Sequence, residues 1–451
     1  MNVALSFLLL IGSVADAPTF HRDVAPIVER RCTPCHQPGG GAPFRLKSYR
    51  DLQKRSTHIR LLVERGFMPP WLPEEGHRFA GSRALTDQEQ TTLLRWIDAG
   101  APEGDEVSTK REAATAANDA WRWGKPDIEL ESHRPFTVPA EGLAVVQTWV
   151  YPLPKSERRF LRHVEFRPSE PRALHGALYL ADATGTAIRL DEGSEEPGYR
   201  AMGHVGLNLS GALGGWVVGS ETEPLPPGYG WPLPEPRPNG PPVVWSVQAH
   251  LNPMGRRVEI DTKLALYFAE EPVEHPIATV AMTDLELSIP VGARDYLAED
   301  EYRCPVDVKL VGLVPMAHYL CRTMRVTAEL PELPADPNPD SEIDTPAAPR
   351  TIELLRIDDW DLNWQEPYRL REPLSLPAGT RIRMEYRYDN SPDNPRNPHI
   401  PPRPAMLGRA PDGEIAALLL HLAPAKRADY GLLLESHEAG FRRRLRERSG
   451  R

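Results

Sequence analysis

Val243-Val244-Trp245-Ser246-Val247-Gln248-Ala249-His250 decides the fold of most of this chain. β-Branched and aromatic residues across the run, with prolines just ahead of it, favour an extended strand over a helix. Runs of the same kind recur on either side between Pro, Gly and Asp turns: Ala144–Val150, Phe160–Phe166 and Lys263–Phe268, then Val306–Val311 and Thr380–Tyr386. Short strands at this spacing, with little helical periodicity, predict antiparallel β-sandwiches. The roughly 300 residues they occupy predict two of them, divided near Glu270–Pro276.

Composition points the same way. In 451 residues, 49 prolines beside 33 glycines break long helices and stay out of central strands, leaving short strands and ordered loops. The formal net charge of −10 argues against nucleic acid as a partner, because a phosphate-binding surface wants a cationic excess. After the N-terminus no apolar stretch is long enough to span a membrane. The apolar run Val3–Val14, followed by the small-x-small Ala15-Asp16-Ala17, reads as a signal peptide over residues 1–17. The mature chain is then expected in the periplasm or outside the cell, in an oxidising compartment.

Near the start stands Cys32-Thr33-Pro34-Cys35-His36, a C-x-x-C-H motif. Two thiols at this spacing add across the two vinyl groups of haem, and the adjacent histidine is held under the iron as proximal ligand. A zinc site would need two further ligands nearby, and the other cysteines, Cys304 and Cys321, lie far along the chain. A redox dithiol would want a βαβ pattern around it, which is absent. Ahead of the motif, Thr19–Val28 reads as a capped first helix with apolar positions at Val24, Ile27 and Val28. After it come a Gly39-Gly40-Gly41 loop, the segment Gly66-Phe67-Met68-Pro69-Pro70-Trp71, and a capping box Thr86-Asp87-Gln88-Glu89. That box opens a helix with Leu93, Leu94, Trp96 and Ile97 on its apolar side, ended by Gly100.

Helix, C-x-x-C-H, Met-Pro-Pro-Trp loop and closing helix resemble a small class I cytochrome c over residues 18–105. The resemblance implies one covalent haem c on Cys32 and Cys35, with His36 as one axial ligand. Met68, 32 residues after His36, is the expected sixth ligand, with His58 and His77 as rivals. A thioether opposite histidine raises the potential and suits electron transfer.

The remainder resembles the copper type II, ascorbate-dependent monooxygenases, the group of peptidylglycine and dopamine monooxygenases. The resemblance rests on Gln248–Gly255, Val314–Leu320, Trp360–Gln365, Leu376–Thr380, Tyr388–Ser391 and Asn394–Pro398, with Arg172–Leu178 where that family has a paired-histidine strand. It implies a multidomain chain: a small all-α cytochrome domain (18–105), a linker (106–135), two all-β antiparallel, jelly-roll-like sandwiches (136–272 and 273–425) and a basic tail (426–451). The family holds two coppers with five histidines and a methionine. Here Gly176 replaces one histidine, Met316 another, and Ile415 the late methionine, leaving His175, His250, Met316 and His318 for any residual copper. Met316 and His318, two apart on a strand, still face one side. A thioether and an imidazole hold Cu(I) better than Cu(II). His421 shares Ile415's parity but lies about 20 Å along the strand, too far to substitute.

No working two-copper monooxygenase is therefore expected. The chain reads as an exported haem c electron-transfer protein whose sandwich module recognises an unidentified small molecule, with a redox protein or small reductant as partner. The rival reading is an active hydroxylase with a rearranged copper site fed through the haem. Cys304 and Cys321 are facing strand residues or free thiols, and an oxidising compartment favours the disulfide. The tail, Phe441 to Arg448, is expected to be a solvated helix end without membrane contact.

Overall fold

The computed structural model describes residues 17–74, 78–105, 121–142, 144–154, 160–200, 212–220, 222–235, 238–270, 272–331, 350–408 and 413–449. All but one residue of the expected signal peptide, and His77, lie outside them. The chain forms two compact units. One comprises Met1–Pro38, Phe44–Pro70 and Arg83–Ala113, and the other Gly39–Pro43, Trp71–Ser82 and Ala114–Arg451. Two short pieces of the stretch 18–105 thus group with the second unit.

The described elements of the first unit are helical. One wide turn, Phe20–Val24, runs into α1 (Ala25–Arg31), followed by α2 (Tyr49–Gln53), α3 (Ser56–Glu64) and α4 (Asp87–Asp98). Thr19 does not cap with its side chain as expected; the Asp23 carboxylate instead accepts the Thr19 N–H at 2.7 Å. The Thr86–Glu89 box forms as read, with both reciprocal bonds present at 3.0 and 3.1 Å. The periodicity of α4 buries Leu93 and Trp96 against Phe20, Val24, Val28 and Leu52. Gly100, at φ +82°, ends the helix in the left-handed conformation open to glycine. The Trp96 indole N–H donates to Pro102 O at 2.9 Å.

The second unit is mostly β. Its first half carries β1 (Ile128–Glu131), β2 (Phe136–Val138), β3 (Val145–Pro152), β4 (Phe160–Pro168), β5 (Leu174–Asp182), β6 (Ala212–Val217), β7 (Tyr229–Pro232), β8 (Val244–Leu251), β9 (Val258–Ile260) and β10 (Thr262–Phe268). Then follow β11 (His275–Pro276), β12 (Ala278–Thr283), β13 (Ser288–Ile289), β14 (Tyr296–Arg303), β15 (Val308–Ala317), β16 (Cys321–Glu329), β17 (Thr351–Ile357), β18 (Tyr368–Leu376), β19 (Arg381–Tyr388), β20 (Ala405–Met406) and β21 (Ala416–Pro424). Sheets ordered β1-β10-β4-β7-β11 and β3-β8-β5-β6 share one core, in which Trp149, Phe166, Trp245, Val247 and Leu264 meet. Sheets β12-β21-β15-β18 and β14-β19-β16-β17 share another, built on Val280, Leu313, Met324, Tyr386 and Leu420. Pairing is antiparallel apart from the two-residue β7/β11 contact and one isolated bridge. The halves are not purely β: α5 (Thr186–Glu192) follows β5, and α6 (Tyr430–Ser449) ends the chain.

The two sandwiches meet through an apolar contact. Leu178, Leu180 and Ala212 from β5 and β6 pack on Ala281, Val314, Met316, Ile415 and Leu419 of the second half. Strand parity produces this: on β8, Trp245, Val247, Ala249 and Leu251 face their own core, so Ser246, Gln248 and His250 face the other way.

One expectation is corrected here. Cys304 and Cys321 are free, buried thiols rather than a disulfide. Both flank β19, but Arg303 pairs with Arg381 while Cys321 pairs with Tyr388 at the opposite end. Seven residues of strand put them about 23 Å apart, far beyond the reach of a bridge. The stretch from Phe441 lies on α6, with Arg442, Arg443, Leu445, Arg446 and Glu447 exposed, while earlier residues of the same helix pack inward. On α6, Leu433 is fully buried, His437 is nearly so, and the Arg444 guanidinium holds both Asp300 carboxylate oxygens at 2.6 Å.

Candidate functional site

In the helical unit the C-x-x-C-H segment closes into a tight turn after α1. Cys35 N–H and His36 N–H both donate to Cys32 O, at 3.3 and 2.9 Å. Leu46 N–H donates back to His36 O at 2.9 Å, and Thr33 Oγ1 to Leu46 O at 3.2 Å, so the loop is stapled from both sides. His36 Nδ1 donates to Phe44 O at 2.9 Å, and the two rings lie 4.7 Å apart. That bond fixes the tautomer and leaves the Nε2 lone pair for a ligand. Burial holds the imidazole below its usual pKa, in the neutral form that binds metal. Cys32 packs against the helical core, and burial pushes its thiol up to about 12. Neither cysteine forms a disulfide. This donor set, a fixed neutral imidazole beside two thiols on an apolar wall, fits a covalent haem. Met68 lies in the bend after α3, half-buried, its N–H on Leu62 O at 3.2 Å, whereas His58 is exposed on α3.

In the β-rich unit, a cavity of ≈ 20 Å³ holds about one water-sized occupant at the seam of the two sandwiches. His175, Gln248 and His250 line it from the first half, Met316 and Gln365 from the second. His175 gets there through a bulge. Leu174 pairs with Leu251 but Gly176 with His250, so His175 is an extra residue in β5. The bulge re-aims a side chain that simple alternation would turn from Gly176 and His250. Both His175 ring nitrogens are buried without a hydrogen-bond partner, as is Gln248 Nε2. Burial holds His175 near pKa 4 and His250 near 3, the latter also disfavoured as a cation by His318 and His175. His318, just past β15, stands with its ring 5.7 Å from that of His250. Its Nδ1 donates to Gly413 O at 2.6 Å, leaving Nε2 unbonded by that contact.

A Cβ on Gly176 would sit 3.1 Å from Gln365 O and 3.2 Å from Trp216 O, so any side chain there would crowd the backbone. Ile415 is buried in the apolar seam beside Met316 and offers no donor. His421 lines a different cavity. Among the described residues, no three His, Cys, Asp or Glu side chains are grouped to hold a metal ion. His175, His250 and Met316 thus share one seam cavity, with the His318 ring beside His250.

Sequence reasoning passed over Gln248, Gln365 and Glu414. Gln248 was legible, being two residues before His250 on one strand. Glu414 was not: its buried carboxylate accepts the N–H groups of His318, Leu320 and Ile415, joining segments over 90 residues apart. Among the described residues no helix is long and apolar enough to cross a membrane. Compared with known proteins, the sequence matches no family model and no curated protein.

Proposed function

We propose that this chain is an exported haem c electron-transfer protein, working in the periplasm or outside the cell. Its β-rich unit is a copper-monooxygenase-like module that has lost two-copper activation of O2. The observation that carries the reading is the Nδ1–H bond from His36 to Phe44 O at 2.9 Å within a C-x-x-C-H turn. It presents a neutral, oriented imidazole beside the two thiols. When bound, the haem supplies a one-electron centre. Cys32 and Cys35 would hold it through thioether bonds, with His36 and Met68 as the side chains that would ligate the iron, and a thioether donor would favour a high potential. A redox protein or small reductant exchanges the electron.

The test is expression with a haem c maturation system, then iron per chain and the haemochrome spectrum after acidic-acetone extraction. One iron in haem that resists extraction, lost in Cys32→Ala/Cys35→Ala, is expected. Protein without extraction-resistant haem overturns the reading.

A second reading, a hydroxylase with one rearranged copper site, is favoured by one observation: His175 faces the seam cavity with both nitrogens unpartnered. Imidazoles with a thioether suit Cu(I). Copper per chain after loading and dialysis decides it: near-stoichiometric copper sustains this reading, and iron without copper removes it.

A further inference from the structure

The seam between the sandwiches holds a second, larger cavity of ≈ 60 Å³, several times the space one water needs. Gly215 and Pro367 line both cavities and separate them. His163, Leu213 and Trp231 wall the second from the first sandwich, and Val311, Arg369 and His421 from the other.

Two β-bulges face this space. In the β5/β6 ladder, Leu178 pairs with Gly215 but Leu180 with Ala212, so β6 accommodates an extra residue at Leu213–Gly214. Gly214 sits at φ +120°, a conformation that side chains resist, and a Cβ there would meet nothing. On β15, Leu310 pairs with Leu422 but Gly312 with His421, which makes Val311 the extra residue. Bulges of this kind bend a strand and re-aim its side chains, and residues of both bulges line this cavity.

Two of its lining side chains, Trp231 and Arg369, can only donate. Trp231 Nε1 and His421 Nε2 are buried with no hydrogen-bond partner, and the two rings meet edge to face at 5.7 Å. His421 is only 4% exposed, so bulk water does not satisfy it. Arg369 donates from Nη1 to Pro224 O at 2.9 Å and from Nη2 to Glu223 at 3.4 Å. Glu223 is the one carboxylate lining the cavity, and its side chain is 62% exposed, free to yield its place to another anion. An indole N–H and a guanidinium only donate, so the occupant must present acceptors. Leu213, Val311 and Pro367 leave room for a short hydrocarbon tail.

We infer that this cavity binds a short-chain monocarboxylate of acetate-to-butyrate size, its head group held by Trp231 and Arg369 and its tail against Val311 and Leu213. The inference does not depend on haem or copper. Calorimetric titration of the full chain with propionate, and with the neutral isostere propionamide, tests it. Saturable propionate binding at one site is expected, with propionamide at least about tenfold weaker, as loss of a charge-assisted hydrogen bond predicts. Trp231→Phe, which removes only the N–H, and Arg369→Gln should each weaken propionate about tenfold while circular dichroism stays that of the parent. Absence of saturable binding, the result for a cavity holding water alone, overturns the inference. So does equal affinity for acid and amide, which needs no variant, or unchanged affinity in both folded variants.

Discussion

Phe79→Ala probes which unit owns the chain that follows the Met68 loop. Trp71–Ser82 groups with the β-rich unit. Phe79 is 1% exposed within the core of the second sandwich, its ring 5.4 Å from Tyr368 and 6.4 Å from Trp71. Backbone bonds reinforce the anchor: Phe79 bridges Leu370, and Ala80 N–H donates to Arg369 O at 2.8 Å. Truncating a buried phenylalanine costs about 4 kcal/mol, through lost transfer energy and the cavity left behind. At about 1.4 kcal/mol per decade, exchange through opening of that sandwich should accelerate roughly a thousandfold. Hydrogen–deuterium exchange read peptide by peptide is the assay, because a two-unit chain need not unfold in one step. Peptides of β15, β18, β19 and β21 should exchange faster while those of α1 and α4 keep their protection. Acceleration confined to α1 and α4 would refute the assignment and return the segment to a continuous module over 18–105.

Acid should weaken the β-rich unit. Burial holds His163, His421 and His437 near pKa 4, against an ordinary 6.5, so the folded state keeps them neutral. Their contribution is complete above about pH 6.5 and is lost as pH falls toward 4, amounting to about 2 kcal/mol per histidine by pH 5. Urea midpoints of this unit should therefore drop between pH 7 and 5, and a flat profile would contradict the burial. Gly176→His should lower thermal stability by about 1–3 kcal/mol equivalent and bring no added copper, since a Cβ there already crowds the backbone carbonyls of Gln365 and Trp216. An unchanged melting temperature would show that the seam can open.

What the sequence determined by itself was local. The Thr86–Glu89 box, the apolar side of α4, the strand at Val244–Leu251 and the C-x-x-C-H turn all follow from residues within a few positions of one another, where propensity, capping and periodicity act. The surroundings of those elements were decided elsewhere. His175 enters the seam cavity because β5 slips one residue against β8, and Val311 opens the second cavity by a like slip against β21. Neither slip can be read from its own strand alone, because register belongs to the pair. Cys304 and Cys321 are kept apart by the ladders they share with β19, and Trp71–Ser82 is claimed by a core whose partners lie some 290 residues away. Such features come from contacts between distant segments, each too weak alone to show in sequence. Only the assembled sheets set them.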